Sequence, residues 1–381
     1  MRVFLFISLR MTSNFSEYIS EQIDVNTHIM WFEKSNKYIV VNDLLNNLIL
    51  NKIDSDKFPI KISLLKQNKI NSKKLKHIKD DIKNLLEECN TEYDNINSPI
   101  SFSIADEYTH YSKFRFNERV VKIEYSDERL KLLIDPKFVH LNCNENEETT
   151  FKIVEKNKKI NLFKNDKFLG SWGSKKMHEF QGKVSMELTS FFHGMSDYDW
   201  TAVFHGSSLC KENIGLMLTG DSGSGKSSLS AILMTDNFAL IADDFSPMDD
   251  KGIHYNFPSA ISIKEGFYSE AKKLYKSFQE LNEYYINDIK GNVKYLPDYS
   301  GKSILKSNCK TILNVKFGSG LKNEIKSINR GKALENILPD AWISSDIKDA
   351  NAFINWVKSS SFYDLTYNDN NEAIKMINEI L

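Results

Sequence analysis

Cysteine is scarce in this 381-residue chain: Cys89, Cys143, Cys210 and Cys309 are scattered, with no paired spacing among them. That scatter excludes a disulfide-stapled scaffold, argues against a structural zinc site, and points to a reducing compartment, so a cytoplasmic location is expected. An excess of one charge is also missing. Lys+Arg 50 against Asp+Glu 51 leaves a net charge of −1, so no global field steers the chain to nucleic acid or an anionic membrane. Long apolar runs are lacking too. The run Val3 to Leu9, behind Arg2, is too short to cross a bilayer, is broken by Arg10 and precedes no small-residue cleavage pattern. It reads as an extension or a strand, with Met11 as an alternative start. What the chain does have is apolar material, 41% hydrophobic and 12% aromatic, enough for a large core in two or three domains.

The informative stretch runs from Ile214 to Met248. Ile214 to Thr219 reads as a buried strand. Gly220-Asp221-Ser222-Gly223-Ser224-Gly225-Lys226-Ser227 then matches G-x-x-x-x-G-K-[ST] at every fixed position, with Ser228 following. The glycines let the backbone turn its N–H groups onto phosphate oxygens, and a helix over Ser227 to Thr235 presents its positive N-terminus to the same anion. Lys226 is expected to reach the β and γ phosphates, and Ser227 to offer its hydroxyl to Mg²⁺. Asp236-Asn237 reads as a turn, and Phe238 to Ala242 as a second buried strand ending at Asp243-Asp244. A strand-helix-strand unit sets the two strands parallel, so the loop and both carboxylates emerge at one sheet edge. One Asp is then expected on the metal and the other as general base; adjacent strand residues face opposite ways, and the sequence leaves open which is which.

His205-Gly206, IGLMLTGDSGSGKSS, LIADD and the later FPSAISIKEG (Phe257 to Gly266) together resemble the HPr kinase/phosphorylase family of bacterial serine kinases, whose nucleotide fold is shared with ATP-dependent phosphoenolpyruvate carboxykinases. The resemblance covers roughly Met186 to Leu381, with its sharp motifs in about sixty residues. It implies an α/β phosphate-loop kinase core, ATP and Mg²⁺ as cofactors, and His205 beside the acidic pair near the γ-phosphate. Ser228 stands where HPr kinases usually carry Glu, and the chain before the core differs from theirs, so HPr itself is not the expected substrate. Lys264, in ISIKEG, is a candidate for stabilising charge on the transferred phosphoryl group, and Arg330 is a second cation of interest.

Upstream, HIMWFEKSNKYIVVNDLLNNLI gives two strands around Lys34-Ser35-Asn36 and then a helix capped at Asn42-Asp43. Asn71 to Cys89 is amphipathic, with Leu75, Ile78, Ile82 and Leu85 on one face. This order faintly resembles PqqD-like winged-helix modules, which hold leader peptides. The lysines of that helix read as a solvated face rather than a DNA contact. Asn95 to Pro99 reads as a linker. Ile100 to about Trp172 reads as β-rich (RVVKIEYS, KLLID, FKIVEK, INLFKN), and His178 to Met195 as helical spacing interrupted by Gly182. Ala271 to Ile289 is expected as a polar helix or mobile segment, VKYLPD (Val293 to Asp298) as a loop at the mouth of the site, and Asn371 to Leu381 as a closing helix.

The expected architecture is therefore α/β, with a small α+β N-terminal module (1–97), a β-rich subdomain (98–183) and a phosphate-loop core of the HPr kinase/carboxykinase type (184–381). The expected activity is ATP-dependent phosphorylation of a Ser/Thr hydroxyl on a protein or peptide. Catalysis falls to His205, Lys226, Asp243, Asp244 and Lys264, and the metal to Ser227, Asp243 and Asp244. No nucleic acid or membrane partner is expected, and a homo-oligomer is left open. Two rivals stand beside this: a carboxykinase-like enzyme on a small acid, needing Arg/Lys substrate contacts that the sequence does not place, and a non-catalytic nucleotide-binding regulator with a DNA- or peptide-binding N-terminal module.

Overall fold

A computed structural model describes residues 17–55, 71–92, 108–288, 291–302 and 304–381. The apolar run at 3–9 and the linker-like segment at 95–99 lie outside the described residues. The chain is a mixed α/β protein. It starts with an antiparallel sheet, β1 (Tyr18–Asp24), β2 (Thr27–Phe32) and β3 (Lys37–Asn42), followed by α1 (Asp43–Ser55) and α2 (Ser72–Cys89). Asn42 Oδ1 accepts from the N–H of Leu45 at 2.9 Å and Asn71 Oδ1 from that of Lys74 at 2.8 Å, so each helix begins where a side chain meets an orphan donor.

Strand alternation gives this small sheet two buried faces. Met30 and Phe32 pack with Leu48, Ile49, Ile82 and Leu86 beneath the two helices, whereas Ile23 and Ile29 join Ala333, Leu334 and Phe353 from the C-terminal half. The second face of the module's sheet is thus packed against the core.

Next come β4 (His110–Phe116), β5 (Arg119–Tyr125), α3 (Glu128–Ile134), β6 (Thr149–Lys156), β7 (Lys159–Lys164) and β8 (Lys167–Gly173), forming a five-stranded sheet in the order β4-β5-β6-β7-β8. Its hairpins turn on Asn117-Glu118, Asn157-Lys158 and Asn165-Asp166, each pair at positive φ, the conformation that matches strand twist. KLLID, expected as a strand, lies instead in α3 and the turn after it. Asp127 caps that helix by accepting from the N–H groups of Arg129 and Leu130, and Leu130 and Ile134, one helical turn apart, are the residues it buries. The helix α4 (Met177–His193) continues straight through Gly182 and seats Phe180, Val184, Leu188 and Phe192 in the core of this sheet. A division at 183/184 falls inside it.

The remaining strands are β9 (Trp200–Phe204), β10 (Ser207–Lys211), β11 (Ile214–Thr219), then α5 (Lys226–Met234), β12 (Ala239–Ala242), β13 (Ser246–Asp249), β14 (Ile253–Tyr255) and β15 (Ile261–Lys264). They are followed by α6 (Tyr268–Leu274), β16 (Glu283–Asn287), β17 (Gly291–Leu296), β18 (Lys306–Phe317), β19 (Glu324–Ile328), α7 (Arg330–Ile337), β20 (Ala341–Ile343), α8 (Ile347–Ser359), β21 (Ser361–Tyr367) and α9 (Asn370–Ile380). VKYLPD is mostly the strand β17 rather than a loop, because Val293 and Leu296 are buried and the strand pairs with both β15 and β16. A ten-stranded sheet follows the path β12-β10-β11-β18-β14-β13-β9-β20, with β21 also on β18 and β19 on β21. β11 runs parallel to β18, and β18 parallel to β21. β10 is antiparallel to both β11 and β12, so those two strands point the same way across it.

Candidate functional site

β11 ends at Thr219, and the glycine-rich loop starts on a residue that must be Gly. Gly220 has φ of +134°, and a Cβ there would lie 2.8 Å from the Val315 carbonyl oxygen. The loop closes with Gly225 at φ +104°, where a Cβ would press at 3.1 Å on Phe317 Cβ and 3.4 Å on the Tyr367 hydroxyl; α5 begins at the next residue. The N–H of Phe317 donates to the Ser224 carbonyl at 2.9 Å, fastening the loop to β18. Ser224 Oγ is buried and has no hydrogen-bond partner among the described residues.

The Lys226 side chain folds back under the loop, its ammonium donating to the carbonyls of Gly220 at 2.6 Å and Asp221 at 3.2 Å. Burial lowers its pKa, opposed by the charges of Asp244, Asp243, Asp340 and Asp221. Asp340 precedes β20, is exposed, and no local pattern marked it.

β12 stops at Ala242, which separates the two acids. Asp243 is 3% exposed and accepts hydrogen bonds from the Ser207 hydroxyl, from the Ser227 hydroxyl at 3.0 Å, and from the backbone of Ser262. Burial, then the neighbouring charge of Asp244, raises its pKa to about 7. Asp244 has φ of +62°, left-handed and outside the strand, and it lines a cavity of about 530 Å³. The same cavity is lined by His205 from the turn between β9 and β10, by Ser222, Gly223, Gly225, Lys226, Ser227 and Ser228 of the loop and helix, and by Ser262 and Lys264 at the end of β15.

The expected cluster is thus brought together. Ser207, Ser227 and Ser262 hold Asp243, and His205 lines the cavity with Asp244. Ser207 stands one residue after the His-Gly pair, a signal that could have found it. Arg330 is elsewhere: its guanidinium joins α7 to β1 through Asp24 Oδ1 at 3.1 Å and the Ile23 carbonyl at 3.3 Å. Among the described residues no group of three or more His, Cys, Asp or Glu side chains is arranged to hold a metal. A cation at this site would therefore meet Ser227 and one or two carboxylates, with its other oxygens supplied by nucleotide and water, as Mg²⁺ accepts. No helix among the described residues is long and apolar enough to cross a membrane.

No protein-family model and no curated protein matches the chain. Among solved structures it is similar to the Hpr(Ser) kinase/phosphatase from Coxiella burnetii, with 13% identity and a TM-score of 0.23 over 47% of this chain and 96% of that one.

Proposed function

We propose that this chain is an ATP-dependent kinase that transfers the γ-phosphoryl group to a Ser or Thr hydroxyl of a protein or peptide. The observation that carries the reading is the hydrogen bond between the Ser227 hydroxyl and buried Asp243 at 3.0 Å, directly beside Lys226 at the start of α5. A metal-binding hydroxyl and its acidic partner stand together at the end of a loop that matches the phosphate-binding pattern in full. The loop also suits a phosphate on its own geometry. Gly225 leaves open the space that a Cβ would take, and Lys226 is held at the loop by two carbonyl contacts it can exchange for phosphate oxygens.

In this reading Ser227 and Asp243 would hold Mg²⁺, which would supply positive charge toward the phosphates, and the hydrogen bond between the two side chains keeps both oxygens in place beforehand. Lys226 carries positive charge onto the phosphoryl oxygens. Asp244, turned into the cavity by its left-handed backbone, accepts the proton of the acceptor hydroxyl as its oxygen bonds to phosphorus and the bond to the departing diphosphate breaks. His205 and Lys264, on the same cavity wall, stabilise the charge that develops. Among the described residues the cavity wall offers Lys264 as a cation beyond Lys226 and no arginine, which fits a hydroxyl acceptor better than a small polyacid.

The test is phosphoryl transfer from radiolabelled ATP to proteins of a lysate from the chain's own source. Wild-type protein should label a band, and Asp244→Asn should keep nucleotide affinity while losing about 10²–10⁴-fold in rate. Transfer by Asp244→Asn at the wild-type rate would remove the base assignment.

A further inference from the structure

The order of the sheet puts two kinds of surface on opposite flanks of the glycine-rich loop. The loop leaves β11. On one side, across β10, β12 delivers Asp243 and Asp244; on the other, β18 and β21 deliver Phe317 and Tyr367 at their ends. Both aromatic residues line the same cavity as Asp244, together with Asn370 from the first turn of α9.

Tyr367 is 1% exposed, yet its hydroxyl makes no hydrogen bond among the described residues and stands 3.4 Å from where a Gly225 Cβ would be, facing the loop. Burial alone raises its pKa. A tyrosine so deeply enclosed ordinarily finds a partner for its O–H, so this one is set to meet something that enters the cavity. Phe317 is the converse: a large aromatic left 51% exposed, packed by one side on Tyr367 with ring centroids 5.2 Å apart and held by its own N–H on Ser224. Its open side is a stacking surface at the loop's edge. Asn370 adds a carboxamide, able both to donate and to accept.

Resting on the kinase reading above, we infer that this flank is the nucleoside end of the site: a nucleobase stacks on Phe317 while the Tyr367 hydroxyl and the Asn370 amide meet polar atoms of the base or ribose. A triphosphate lying on the loop then points its terminal phosphate to the acidic flank and its nucleoside to the aromatic flank, so the two ends of one ligand meet chemically opposite surfaces. This fits the general make-up of ligand sites, apolar walls with a few converging polar groups. The ligand class is a purine or pyrimidine nucleoside triphosphate rather than a bare polyphosphate.

The experiment is calorimetric titration of the full chain with Mg·ATP, Mg·GTP and Mg·tripolyphosphate. Wild-type protein should bind Mg·ATP about tenfold or more tightly than Mg·tripolyphosphate, the usual worth of one base stacked on an aromatic ring. Phe317→Ala, at a half-exposed position that does not threaten folding, should lose most of that difference and leave tripolyphosphate binding unchanged. Tyr367→Phe, which keeps the ring and removes the hydroxyl, should change the ratio of ATP to GTP affinity. Equal affinity of wild-type protein for ATP and tripolyphosphate, with both lost in Lys226→Ala, would overturn the nucleoside subsite while leaving the phosphate loop standing. A Phe317→Ala loss shared equally by ATP and tripolyphosphate would also overturn it, and binding of none of the three ligands would overturn both.

Discussion

Asp243 and Asp244 are neighbours in sequence with unlike surroundings, and the backbone explains why. The strand ends at Ala242 and Asp244 turns left-handed, so one carboxylate stays under the loop and the other enters the cavity. For Asp243 the folded pKa of about 7 lies above the unfolded carboxylate value, so the folded state holds the proton more tightly. Its stabilising contribution is complete below the unfolded value, near pH 4, and is lost as pH rises through about 7. Asp243→Asn removes that loss. The variant should melt a few degrees above wild type at pH 8 and show a flatter dependence of Tm on pH between about 4 and 7, while its Mg²⁺-dependent nucleotide affinity falls. A variant that melts lower than wild type at pH 8 would mean that Asp243 is held as a stabilised anion. The pair was legible in the sequence, but the division of roles was not, because it depends on where a four-residue strand stops.

At the scale of elements, strong local patterns read true: the buried run of β11, the Asn42 cap of α1, the amphipathic face of α2, and the closing helix α9. The misreadings have a common cause. KLLID and VKYLPD are short apolar runs whose type is set by what surrounds them, an Asp127 cap for the helix α3 and two pairing partners for β17. Phe317 and Tyr367 carried no signal, since they reach the loop only through the pairing of β18 and β21. Arg330, a cation of interest in the sequence, likewise takes its role from packing between elements. It opens α7, and there it ties that helix to β1 through Asp24 at 3.1 Å and to α8 through the carbonyls of Val357 at 3.1 Å and Lys358 at 2.9 Å. Arg330→Ala should therefore destabilise the fold by about 1–3 kcal/mol in thermal unfolding and leave nucleotide affinity as it was. A variant with wild-type Tm and weakened ATP binding would return Arg330 to the site.

For the whole molecule, the buried second face of the N-terminal sheet matters most. Ile23 and Ile29 sit in one cluster with Ala333, Leu334, Ile343 and Phe353, and Asn36 Nδ2 donates to the Ile343 carbonyl at 2.8 Å. Removing residues 1–97 uncovers that cluster, so the truncated chain should melt well below the full chain and bind a hydrophobic dye before melting. Equal melting temperatures would make the module an appendage. Phosphate binding at the glycine-rich loop depends above all on Lys226. The most direct measurement is calorimetric titration of Mg·ATP into wild-type protein and Lys226→Ala, with folding of both verified by circular dichroism. Wild-type protein should bind saturably, and the folded variant should lose that binding or weaken it by at least about a hundredfold. Undiminished binding by folded Lys226→Ala would contradict phosphate binding at the loop.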